Sequence, residues 1–132
     1  MKKVIILLMV FVFPFLTFAQ GQPNLQNQQK EVPILTPKVV IGDLVFVSQT
    51  LKTVEIKGSE VDAFLQVDQA ITKILQDLNA QGRKANDSVD IKLPLNIAQN
   101  TLAFMDRAVL SGQNAIIYKR FVDAVVESSK KK

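Results

Sequence analysis

The sequence contains no cysteine, no histidine and no tryptophan, a single tyrosine, and only five glycines and five prolines in 132 residues. Each gap removes a class of chemistry. Without thiol or imidazole there is no Ser-His-Asp or Cys-His nucleophilic machinery, no histidine proton shuttle and no thiolate or imidazole zinc site. Without cysteine there is also no disulfide, although small exported domains commonly rely on them. Apolar burial alone has to hold the fold, which is feasible but marginal near 100 residues. The glycines stand singly, at Gly21, Gly42, Gly58, Gly82 and Gly112, and form no phosphate-cradling loop. No catalytic, cofactor-binding or metal-ligating residue is picked out by motif.

What is present begins with a leader. Lys2 and Lys3 precede an unbroken apolar run from Val4 to Phe13, a break at Pro14, and then Thr17-Phe18-Ala19. This is the three-part layout of a secretory signal peptide, and the run falls short of the roughly 20 residues that a spanning helix needs. Cleavage is expected after Ala19. No cysteine follows to carry a lipid, so the mature chain is expected in the periplasm or outside the cell, with no stable membrane anchor.

Taking residues 1–19 as removed changes the charge arithmetic. Of 16 basic residues, Lys2 and Lys3 leave with the leader, so 14 face 12 acidic ones. Three of those 14 are the terminal Lys130, Lys131 and Lys132, which makes the remainder nearly neutral. A nucleic-acid surface would need Lys and Arg clustered on one element with aromatic stacking partners, and the pattern supplies neither.

Residues 20–37 are expected to be a disordered linker: Gln20 to Gln29 holds five glutamines and two asparagines, with Leu25 the only large apolar residue, and Pro33 and Pro37 follow. The compact part, residues 38–128, is expected to be a small α+β domain of three helices packed on a small sheet of short strands, with 129–132 as a basic tail. Lys38 to Ser48 is rich in β-branched residues around Gly42-Asp43 and predicts a short hairpin. Thr53 to Lys57 and Val89 to Leu93 alternate apolar and charged residues and predict two further strands. Their likeness, Val54-Glu55-Ile56-Lys57 against Val89-Asp90-Ile91-Lys92, is too short to establish a duplicated strand-helix unit.

Ser59, Glu60 and Asp62 form a helix-start signature. The helix they open should run to about Ala80 and stop at Gly82. Phe64, Val67, Ile71, Ile74, Leu75 and Leu78 share one face of it, and Asp62, Gln66, Gln69, Lys73 and Gln76 the other. After Pro94, the residues Leu95, Ala98, Leu102, Met105 and Val109 step by three and four, widened by Ile97, Phe104 and Ala108. They predict a second helix ending near Ser111 with Gly112 as its left-handed cap. A third helix, Gln113 to Ser128, presents Ile117, Phe121, Ala124 and Val125 on one stripe and Lys119, Asp123 and Glu127 on another. The short link between the last two helices predicts antiparallel neighbours.

The acid-base groups left are carboxylates, lysines and Tyr118. The closest carboxylate pairs are Glu60 with Asp62, where a helix's first turn is sufficient explanation, and Asp87 with Asp90. Asn86-Asp87-Ser88 lacks the spacing and glycine of a calcium loop. Export, missing catalytic residue types and broad apolar stripes point to a non-enzymatic module acting by contact with a protein partner or as a homo-oligomer. The alternative is a carrier of a small apolar ligand in the cell envelope. A hydrolase relying on Asp87 and Asp90 comes last.

Overall fold

The computed structural model describes residues 31–131; the leader and the glutamine-rich segment lie outside the described residues. The architecture is broadly α+β: four helices and two small two-stranded sheets. In chain order they are β1 (Ile34–Leu35), β2 (Lys38–Val40), α1 (Ile41–Leu51), a single 3-10 turn (Gly58–Glu60), α2 (Val61–Ala80), β3 (Ser88–Asp90), β4 (Leu93–Pro94), α3 (Leu95–Met105) and α4 (Gly112–Lys130).

The two small sheets are one antiparallel ribbon in unbroken register. Ile34 and Leu35 face Pro94 and Leu93, and Lys38, Val39 and Val40 face Asp90, Val89 and Ser88. Between and beyond them the same register continues through Leu95 N to Pro33 O, Ile91 N to Pro37 O and Ile41 N to Asp87 O. In an antiparallel pair only alternate residues exchange hydrogen bonds, and here those positions include Pro33 and Pro37, which have no N–H to give. Each proline leaves a single bond where two would form; at Pro37 that splits the ribbon into two short pieces, and at Pro33 it ends it. Its inner face is Leu35, Pro37, Val39, Ile41, Ile91 and Leu93, all buried. The folded part therefore begins within the span read as linker.

The hairpin expected over 38–48 does not form. Its first arm is β2, but the chain then enters α1, with Gly42 and Asp43 in the first turn. The β-branched residues are helical because almost every side of α1 is covered: it packs on α2, α3 and α4, and Leu44 and Val47 are wholly excluded from solvent. Burial on nearly all sides overrides weak local propensity. Gly42 sits at a close crossing, where its N–H meets Ala85 O at 2.7 Å and a Cβ would lie a tight 3.2 Å from that oxygen.

Thr53 to Lys57 is not a strand. Thr53 N and Oγ1 both bond Thr50 O, and the chain leaves α1 as a turn and an extended link with Val54 and Ile56 half-buried on the core. The likeness to 89–92 therefore marks no repeated unit. The strand expected over 89–93 is divided between β3 and β4.

Helix α2 follows its expected course and face. Val67, Ile71 and Leu78 are buried, Phe64, Ile74 and Leu75 pack beside them, and the left-handed Gly82 ends it with Arg83 N on Leu78 O. Its start differs: Ser59 lies in the 3-10 turn and caps nothing, and Glu60 reaches back to Lys57 N at 2.9 Å instead.

Helix α3 ends at Met105, six residues early, so Val109 stands fully exposed instead of extending the stripe. Gly112 opens α4 rather than closing α3, and Ser111 caps it by accepting from Asn114 N. Helix α4 continues through Lys130, so the basic tail begins as helix, and Phe121 and Val125 anchor it. It packs on α1, β2 and β1 rather than lying alongside α3, because α1 occupies the centre. Among the described residues there are thus four helices where three were expected, the extra one being α1.

Candidate functional site

The helices close the ribbon unequally. α4 covers β1 and β2, whereas α2 packs on α1 and α3 and stands off from β3 and β4. The gap is a groove of about 440 Å³ between Ala70, Lys73, Ile74, Asp77, Leu78 and Gln81 of α2 and Ile91, Lys92 and Pro94 of the ribbon. A second lobe of about 510 Å³ continues along α2 and is closed by Val32, Asn96 and Ile97; the two lobes share Ala70, Lys73 and Pro94. The floor is aliphatic and the rim carries Lys73, Lys92 and Asp77. Among the described residues, none of these three rim charges is in an ion pair.

Among the described residues four ion pairs form, all of them elsewhere, and two of these fasten the fold. Asp43, 3% exposed at the start of α1, receives Arg120 Nε at 2.6 Å and Nη2 at 2.5 Å. The planar guanidinium meets the carboxylate with two parallel bonds. Arg107 binds Glu60 the same way at 2.7 and 2.6 Å, touches Glu55 O, and lies 5.5 Å from the centre of the Phe104 ring. Hydrogen bonds from Arg107 and from the Lys57 amide hold the Glu60 carboxyl at about 2, well below its usual 4.5. Lys119–Asp123 and Lys130–Glu127 are exposed pairs along α4 and contribute little.

The carboxylates weighed as catalytic pairs do not share a cleft. Glu60 is occupied by Arg107, while Asp62 is exposed in the next turn of chain. Asp87 Oδ2 accepts from Lys84 N at 2.9 Å, shaping the loop before β3, and Asp90 projects from the outer face of the ribbon opposite Lys38. Among the described residues no three His, Cys, Asp or Glu side chains converge as metal ligands. Tyr118 lines a separate hollow between α3 and α4 with Leu102, Asp106 and Val122, and burial together with the Asp106 charge pushes its hydroxyl up to about 12. A phenol so reluctant to ionise is no base at ordinary pH.

Lys73 and Lys92 were legible only as wet positions of a helix and a strand. That they rim one groove follows from the ribbon's register, which periodicity within either segment does not reveal. No protein-family model, no curated protein and no solved structure matches the chain. Among the described residues no helix is long and apolar enough to cross a membrane.

Proposed function

We propose that this is an exported, non-enzymatic module that works by docking a polypeptide partner in the groove between α2 and the β3–β4 strand. The observation that carries the reading is the groove itself: two continuous open lobes with an aliphatic floor and charged groups on the rim that make no ion pair among the described residues. Each lobe is of the size that ligand sites occupy. The reading of export rests on Lys2, Lys3, the run from Val4 to Phe13 and Thr17-Phe18-Ala19.

An apolar-ligand carrier would use space between ribbon and helices. The enclosed interior is filled by Leu44, Val47, Leu51, Val67 and Phe121, which leaves this alternative only the open groove and no sealed pocket.

A photoactivatable residue on the groove rim at Gln69 tests the proposal in the native envelope fraction. The expected result is one cross-linked polypeptide of discrete mass, absent when the probe sits at Lys52 and abolished by Ala70→Arg, which fills both lobes. Identical products from both probe positions, or products that survive Ala70→Arg, would overturn it.

A further inference from the structure

Resting on the docking reading above, we infer that the occupant of the groove is an extended polypeptide segment that adds to the ribbon as a third strand along its β3–β4 edge. It carries an acidic residue opposite Lys92, a basic residue opposite Asp90 and apolar residues alternating with them.

The register establishes which main-chain groups are on offer. Because Ile41 N bonds Asp87 O, Ile91 N bonds Pro37 O and Leu95 N bonds Pro33 O, the odd-numbered residues of strand 87–95 face the partner strand. By alternation, the N–H and C=O groups of Ser88, Asp90 and Lys92 point the other way, out of the ribbon's far edge. Neither β3 nor β4 has a second neighbour among the described residues, and Lys92 N and O take part in no backbone bond with them. An edge of unpaired amides is a template for strand addition. This edge borders the groove, with Ile91, Lys92 and Pro94 as one wall and α2 as the other.

Side-chain alternation then specifies the segment. Lys92 and Asp90 project from the outer face, exposed and without ion-pair partners among the described residues. A residue directly opposite either of them in an added strand shares that face, so opposite charges are favoured and like charges oppose binding. Residues opposite Ile91 and Leu93 turn inward, over Ile74 and Leu78 on the groove floor. Pro94 has no N–H, so the addition stops there and engages only the short edge from Ser88 to Lys92. Lysine and proline on an edge are also the means by which proteins discourage indiscriminate pairing. Here they limit what adds to a short segment with a carboxylate in the right place.

The test uses protein purified from cells expressing the full sequence. The probe is an eight-residue capped peptide alternating valine with charged residues, its glutamate and lysine ordered to face Lys92 and Asp90 antiparallel. Probe binding should slow amide hydrogen exchange at Asp90 and Lys92 and weaken at least tenfold when glutamate and lysine are exchanged. Lys92→Pro removes the outward N–H without touching any ladder bond; it should abolish binding, whereas Lys92→Ala weakens it only severalfold. N-methylation of the probe amides that face the edge should abolish binding to the unaltered protein, which keeps the test independent of how any variant folds.

Binding that survives both Lys92→Pro and probe methylation but is lost in Ala70→Arg overturns strand addition and leaves groove docking standing. Binding indifferent to all three overturns both. No binding up to millimolar probe overturns strand addition, while the Gln69 cross-link continues to report on docking itself.

Discussion

Asp43 and Arg120 differ in what each loses when its partner is removed. Asp43 is nearly sealed, whereas the Arg120 side chain is 58% exposed. In Asp43→Ala the guanidinium swings into water and the loss should be about 1 kcal/mol, the scale of a half-exposed pair. In Arg120→Ala a buried carboxylate is stranded, with only the first turn of α1 to favour its charge, and the loss should approach about 3 kcal/mol. Urea denaturation of the two variants decides the matter; equal losses would mean that the carboxylate finds water or another donor. Tyr118 permits a second measurement without interference, being the only tyrosine in a chain without tryptophan. Absorbance at alkaline pH should titrate near 12 rather than 10. Because the raised value belongs to the folded state, the contribution of the neutral phenol is whole below about 10 and fades between there and 12. Asp106→Asn, by removing the nearby negative charge, should bring the midpoint part of the way back.

Among the elements, the chain just past the end of α3 is held by a contact from a distant part of the sequence. Arg107 leaves the helix line to grip Glu60 across 47 positions of sequence and to cover Phe104, whose ring meets Phe64 edge-on at 5.6 Å. The pairing has a pH signature. Glu60 is depressed to about 2 in the fold against 4.5 otherwise, so its contribution is fully present above about 4.5 and is lost as pH falls toward 2. Arg107→Ala should therefore lower the urea midpoint at pH 6, and the difference from the parent should shrink steadily toward pH 2. A gap unchanged across that range would assign the role of Arg107 to packing on Phe104 alone. The same element shows why sequence legibility was uneven. α2 and α4 bury one face each, so Val67, Ile71, Phe121 and Val125 announced themselves by spacing. α1 is covered on most sides and carries no polar face, and its valines and isoleucine read as strand. The β1–β2 arm was obscured by Pro33 and Pro37, which mark loops in most contexts but here occupy ladder positions. The ion pairs that close the fold, and the groove between α2 and the strand edge, join residues whose separation in the chain carries no periodic signal.

At the scale of the whole molecule, the ribbon ties the first described residues to the middle of the chain, with α1 and α2 in the loop between its strands. Closing so long a loop costs entropy before any ladder bond forms, so the ribbon depends on helices already packed and in turn seals the core beneath Leu35, Val39, Ile91 and Leu93. Stability should accordingly be sensitive to a short N-terminal stretch. A chain beginning at Lys38 instead of Glu31 loses Leu35, which is 3% exposed, the buried Pro37, the acceptors for Ile91 N and Leu95 N, and the two-bond pairing of Leu35 with Leu93. Burial of one leucine is worth about 1.5–3 kcal/mol and each ladder bond about 1 kcal/mol. The shorter chain should therefore be less stable by about 6 kcal/mol, a large share of the 5–15 kcal/mol typical of small domains. Thermal and urea unfolding of the two chains measure this directly. The loss should be accompanied by faster amide exchange at Ile91 and Leu95, whose donors lose their partners. If the two chains unfold alike, the helices alone hold the core, and strand 87–95 keeps its shape without the arm to which it is paired.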